Sequence, residues 1–283
     1  MNNFWQRALT GTVFVAVLVG AILLGGWYMH ITFGVVVLLG LLEFYKLFEN
    51  SEAQPQRILG AIIGTSLYFV VIMAQISRGH LFEIITFGIL ICALITVSIF
   101  ELFRKKEKPF NNIALTVIGI LYVALPFILL NLLAYNRHPE PLVLDGAGVY
   151  NLIWPVLGIF ILVWCNDTFA YLTGRLIGKH KLFERISPKK TWEGFIGGVI
   201  FAVIAGIILA YFLEESYAKY ITYALVAGII GTLGDLVQSM LKRSVDVKDS
   251  GNILPGHGGI LDRFDAVLFV VPVIFLLEIT VFH

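Results

Sequence analysis

The chain has 283 residues, of which 58% are hydrophobic and only 14% charged, with a mean hydropathy of +0.88; this excludes an ordinary soluble domain and points to a membrane protein. Lys plus Arg number 20 against 19 Asp plus Glu, a net charge of +1, so bulk charge gives no footprint for nucleic acid. The two cysteines, Cys92 and Cys165, sit in apolar runs, which leaves no disulfide framework and no Cys-based metal site; both read as small core residues.

A bilayer core about 30 Å thick takes roughly 20 apolar residues per helix. Nine runs of that kind are predicted, near 8–24, 27–48, 58–76, 81–103, 113–134, 150–172, 195–213, 217–241 and 264–282. The first is long and lacks a small-x-small cleavage site, so it reads as an anchor rather than a signal peptide. Gly25-Gly26 alone separates it from the second, which forces a tight antiparallel hairpin. The fold class expected is all-α, a polytopic integral membrane helix bundle of about nine transmembrane helices. Five spans lie in an N-terminal part, 1–140, and four in a catalytic region, 141–283, with its cytoplasmic loops. Threading nine spans puts 17 of the 20 basic residues on one side and only Arg78, Arg137 and Lys219 on the other. By the positive-inside rule the N-terminus and the basic loops are cytoplasmic, in a multi-pass protein of the inner or plasma membrane.

Spans one to five carry few ionisable groups. Arg104-Lys105-Lys106-Glu107-Lys108 reads as an orientation signal or a contact with anionic lipid heads. Glu43, near Lys46 at the end of span two, reads as half of a solvated ion pair.

The C-terminal half differs. Span six contains Asn166-Asp167-Thr168 with Tyr171 one turn later, and Asp167 lies about 12 Å short of Arg175 along the helix. A carboxylate there costs at least about 3 kcal/mol unless it meets a polar cavity or a cation; a structural hydrogen bond between helices is the plainer alternative. The following loop holds Lys179, Lys181 and Ser187-Pro188-Lys189-Lys190-Thr191. Ser187 before Pro188 predicts an N-cap and N1 proline, hence a helix start with free N–H groups for an anion.

Five aspartates then fall within 31 residues: Asp235, Asp246, Asp249, Asp262 and Asp265, interleaved with Lys242, Arg243, Lys248 and Arg263. Counted from Asp235, polar residues at +3, +4, +7, +11 and +14 predict one helix face. Asp262 and Asp265 stack at i and i+3 in the opening turn of span nine, where the helix dipole favours negative charge. Gly256-His257-Gly258-Gly259 frees backbone N–H groups for an anion. Together these suit a hard cation such as Mg²⁺ shared with phosphate groups. An internal salt-bridge network and the cation relay of an ion-coupled transporter are the competing readings.

The ordered string Ser239-x-x-Lys242-Arg243-x₄-Lys248-Asp249-x-Gly251-x₂-Leu254-Pro255-x-His257-Gly258-Gly259-x-x-Asp262-Arg263-x-Asp265 resembles the signature of the phosphatidate cytidylyltransferases, the CDP-diacylglycerol synthases. The stretches around Asp167 and Ser187 to Gly194 are similar to further motifs of the bacterial members, in the same order. One departure is Gln238, where the family carries Glu. The resemblance implies the reaction CTP + phosphatidate → CDP-diacylglycerol + pyrophosphate, with Mg²⁺ and one or two cations in all. It also implies CTP, phosphatidate and the bilayer as partners, and is compatible with a homodimer. On the same ground Asp235 and Asp262 are first choices as metal ligands, with Asp265, Asp246 and Asp249 around them. Lys242, Arg243, Lys248, His257 and Arg263 would serve catalysis by holding phosphates. Asp167, Tyr171, Ser187, Lys189, Lys190, Thr191, Ser239, Gly258 and Gly259 would bind substrate. A related CTP-dependent lipid enzyme, a polyprenol kinase or an ether-lipid cytidylyltransferase, is the nearest alternative.

Overall fold

The structure, a computed structural model, describes residues 3–77, 82–135, 146–253, 256 and 258–282. In chain order it contains α1 (Asn3–Leu24), α2 (Gly26–Leu47), α3 (Arg57–Ser77), α4 (Phe82–Arg104), α5 (Pro109–Gly119), a π-helical turn (Ile120–Ala124), α6 (Leu125–Tyr135), α7 (Gly146–Ile177), β1 (Lys181–Phe183), β2 (Ser187–Thr191), α8 (Trp192–Phe212), α9 (Tyr217–Ser244) and α10 (Leu261–Thr280). The all-α membrane class holds, and each predicted apolar run falls on helix. The fifth covers α5, the π turn and α6. Pro126 removes one main-chain bond from that stretch, and the widened turn precedes it. Six helices among the described residues are long and apolar enough to cross a membrane: Gly26–Leu47, Arg57–Gln75, Pro109–Ala134, Ile153–Ile177, Trp192–Phe212 and Tyr217–Ser244.

The chain divides into two compact units, Met1–Leu132 with Val245–Arg263, and Leu133–Ser244 with Phe264–His283. In the first, Gly25 and Gly26 both take positive φ, 63° and 48°, so the α1–α2 turn needs residues without a side chain. Phe33, Val37, Leu41, Phe44, Tyr45, Tyr68 and Phe127 form its buried core. Polar groups inside it bond one another: His30 Nδ1 lies 2.8 Å from Asn131 Oδ1, and Asn131 Nδ2 donates to Tyr68 Oη at 2.9 Å.

In the second unit α8 packs against α7 and α9 through a buried line of small residues, Gly194, Gly198, Ala202, Gly206 and Ala210. A Cβ on Gly198 would lie 2.8 Å from the Asn166 carbonyl, and one on Gly206 2.7 Å from that of Tyr220. Small residues let these backbones approach, as in other membrane helix pairs. On α10, Phe264 packs edge-on against Phe160, and Gly234 of α9 admits the Phe269 ring. Large apolar side chains such as Leu9, Ile62, Ile95, Ile200, Ile204 and Phe212 stay exposed, as lipid-facing residues do.

Three local expectations are corrected. Ser187 does not cap a helix: Ser187–Thr191 is a strand paired antiparallel with β1, and Thr191 caps α8, its Oγ1 accepting the Gly194 N–H at 3.2 Å. Pro188 is tolerated because both strands of a two-stranded sheet are edges. The α9 helix ends at Ser244, so Asp246 (φ 56°) and Asp249 belong to the following loop rather than to the face of Asp235. Cys92 is exposed and Cys165 half-buried, because an apolar run in a membrane helix has an outer face as well as a packed one.

Candidate active site

In the second unit α7, α9 and α10 bring Asp167, Asp235 and Asp265 close enough for their charges to act on one another. Asp235 and Asp265 are half-buried and Asp167 is exposed. Lys190, at the end of the hairpin, places its Nζ 2.5 Å from Asp235 Oδ2, and its charge reaches Asp167 as well. Lys242, buried on α9, opposes Asp265. Ser239 Oγ, one turn after Asp235, donates to Asp235 Oδ1 at 3.3 Å. Gln238, by contrast, is buried.

The hairpin is anchored by a residue sequence reading left unassigned. Glu193, in the first turn of α8, accepts the N–H groups of Lys179 and His180 at 3.1 and 3.2 Å, and its Oε1 lies 2.6 Å from His180 Nδ1. The Trp192 N–H donates to the His180 carbonyl at 2.9 Å. These contacts fix β2 and hence the stem from which Lys190 reaches out. Lys189 and Tyr171 are exposed, Ser187 is half-buried, and Thr191 spends its hydroxyl on the helix cap.

In the first unit the loop before α10 is built on two carboxylates. Asp262 Oδ2 accepts the Ser250 N–H at 2.9 Å and the Gly259 N–H at 3.2 Å. Gly256 and Gly258 take positive φ, 76° and 84°, and a Cβ on Gly258 would sit 3.1 Å from Asp262 Oδ2. The second carboxylate is Glu43. Instead of lying solvated beside Lys46, it is 3% exposed, and its Oε2 accepts the Leu261 N–H at 3.0 Å and the Ser250 hydroxyl at 3.3 Å. Gly251 and Gly259 line its carboxylate, where a Cβ on either would collide with it. Asp246, Lys248, Asp249, Arg243 and Arg263 are exposed. His257 and Pro255 lie outside the described residues, as do Arg78 and Arg137.

The chain matches the model of the cytidylyltransferase family over residues 5–280. It belongs to that family. A phosphatidate cytidylyltransferase of Staphylococcus aureus (strain COL) is 34% identical over 275 residues, 96% of this chain and 98% of the relative. Those of Staphylococcus haemolyticus and Staphylococcus epidermidis (strain ATCC 12228) are 33% identical over the same shares.

For a cytidylyltransferase, the donors of this acidic set are of the kind a hard cation takes. They are carboxylate oxygens, and the charges of Lys190 and Lys242 act on them. Among the described residues no three acidic, His or Cys side chains already close on one point. Glu43 and Glu193 were missed as contributors to these elements. The one available signal for Glu43 was its position inside an apolar run, where a carboxylate is costly without a job.

Proposed function

We propose that this family member transfers CMP from CTP to phosphatidate, giving CDP-diacylglycerol and pyrophosphate for phospholipid synthesis. A phosphate oxygen of phosphatidate attacks the α-phosphorus of CTP; the new P–O bond forms as the bond to the β-phosphate oxygen breaks, and pyrophosphate leaves with that electron pair. The observation that carries this reading is the meeting of Asp167, Asp235 and Asp265 with Lys190 and Lys242 in a chain that matches phosphatidate cytidylyltransferases over almost its whole length.

Both reactants are anions, so the site must suppress their repulsion and stabilise charge as it develops. Lys190 can leave Asp235 for a substrate phosphate, and Ser239 and Lys242 stand one and two turns along the helix from Asp235. On the ground of the family signature, Arg243, Lys248, Arg263 and His257 would add phosphate contacts, and Gly258 and Gly259 would let substrate approach the main chain. Asp235, Asp265 and Asp167 would hold Mg²⁺, with Asp262, Asp246 and Asp249 as additional carboxylates on the signature string. Mg²⁺ supplies Lewis-acid charge neutralisation at the phosphates. No side-chain nucleophile is required, because the lipid phosphate is already ionised near neutral pH.

The nine-span reading adds α1, α4 and α10 to the six helices of sufficient length. It puts the basic loops and the site on the cytoplasmic side of the inner or plasma membrane, where CTP is. The pairing of Lys219 with Glu278 at 2.6 Å supports this, since an internally neutralised lysine carries no orientation signal. The deciding assay gives purified protein radiolabelled CTP and Mg²⁺ with phosphatidate and, in a parallel reaction, with a polyprenol. Label from the α-phosphate in a CDP-lipid is the expected result. Label from the γ-phosphate in a polyprenol, or no lipid product, overturns the reading.

A further inference from the structure

The loop of the family signature is held by a residue from the other end of the chain. Glu43 on α2 is separated from Ser250 by 207 positions and from Leu261 by 218. It nevertheless bonds both. The Leu261 N–H is one of the four first-turn donors of α10 that have no partner within the helix, and Glu43 Oε2 satisfies it at 3.0 Å, acting as a cap supplied from a different helix. Negative charge is also what the dipole of a helix start favours.

The packing around this carboxylate is restrictive. A Cβ on Gly251 would lie 2.4 Å from Glu43 Oε1, and one on Gly259 would lie 2.5 Å from its Oε2. Both ends of the segment from Ser250 to Gly259 therefore close on Glu43. Asp262 ties the same two ends through the Ser250 and Gly259 N–H groups. Ser250 gives its hydroxyl to one carboxylate and its N–H to the other, so the orientation of Asp262 is linked to the placement of Glu43.

A leucine in this place would fill the space without the cost of a buried carboxylate. It could not receive the Leu261 N–H or the Ser250 hydroxyl. The carboxylate oxygens of Glu43 thus act on the geometry of the signature loop rather than on the packing of α2.

We propose that Glu43 is a positioning residue for the transfer reaction: it fixes the closure of the Ser250 to Gly259 loop and the start of α10, and through them Asp262, without touching substrate. The proposal rests on the cytidylyltransferase reading above.

The test uses the full-length chain in detergent, with CDP-lipid synthesis at varied CTP and limited trypsin digestion at Lys248, which is exposed beside the loop. Glu43→Ala should lower kcat tenfold or more while KM for CTP changes less than threefold, and should speed cleavage after Lys248. Glu43→Gln keeps an acceptor oxygen and should restore most of kcat and the slow digestion. Gly251→Ala should lose kcat through the clash with Glu43, and shortening the partner in Gly251→Ala/Glu43→Asp should recover at least threefold over Gly251→Ala alone. Such recovery isolates the contact between the two positions. The proposal is overturned by wild-type kcat in Glu43→Ala, by a Gln variant no better than Ala, or by no recovery in the double variant. Wild-type protein without CDP-lipid synthesis sinks the reaction reading instead; equal digestion of wild type and Glu43→Ala would then sink the loop assignment as well.

Discussion

Lys190 and Asp235 are joined by an ion pair of 2.5 Å, Nζ to Oδ2, that links the β hairpin to α9. Their side chains are 27% and 35% exposed, open enough for a phosphate to compete for the lysine. In the proposed reaction the pair is a resting state: the lysine moves to an anionic substrate and frees a carboxylate oxygen as it does so.

Lys190→Gln should therefore lose about tenfold or more in kcat/KM, as a removed phosphate contact does, with membrane insertion unchanged. Lys189 is exposed, and Lys189→Gln should cost less. Full activity in the Lys189/Lys190 double Gln variant would leave both lysines a purely topological role.

Asp265 shares its surroundings with Asp235 and Asp167, whereas Asp262 Oδ2 is occupied by two main-chain N–H groups. Replacing any one of Asp235, Asp262 or Asp265 by Asn should reduce turnover by roughly a hundredfold, the scale on which a single electrostatic stabiliser acts. Mg²⁺ titration of CDP-lipid synthesis separates their roles. A raised Mg²⁺ requirement is expected for Asp235→Asn and Asp265→Asn. An unshifted requirement at wild-type rate in either variant removes it from the ligand set. Elution as a single monodisperse species checks that each variant is folded.

Orientation can be read directly. Single cysteines at Ser187 and Tyr217, in a background lacking Cys92 and Cys165, should label from opposite sides of intact cells. These positions flank α8, one of the six helices long enough to span. Labelling of both from the same side would mean that α8 does not cross.

Lys219 and Glu278 form a buried pair at 2.6 Å with side chains only 5% and 10% exposed, and Tyr223 also bonds Glu278. Lys219→Met leaves a carboxylate buried without its cation and should destabilise the protein by about 3–5 kcal/mol. The double variant Lys219→Met/Glu278→Leu should regain most of that loss, because apolar replacement of a whole buried pair is close to neutral. Thermal unfolding in detergent measures both. Equal losses in single and double variants would mean that packing, not charge, dominates there.

Much of this protein is written locally. Runs of about 20 apolar residues give the helices, since the length needed to cross a bilayer is a property of a continuous segment. The Gly25-Gly26 turn was legible because only glycine adopts both positive φ values cheaply. Asp262 and Asp265 at the head of α10 were legible because spacing and helix dipole act within one turn. The family signature was legible as an ordered string of residues.

Tertiary structure decided what those residues meet. Pro188 suits a first helical position and an edge strand equally well, and only pairing with Lys181–Phe183 selects the strand. The extent of α9 past Lys242 could not be read from a periodic polar pattern, because the same residues serve a loop once the helix stops at Ser244. Glu43 gave the least sign of its role. A helix period reports which side of α2 a residue occupies, but the bonds of Glu43 run to Ser250 and Leu261, more than 200 positions away. Contacts at that separation leave no local pattern, and so it was the folding of residues 245–263 against the N-terminal helices that turned an apparent surface ion pair into the support of the signature loop.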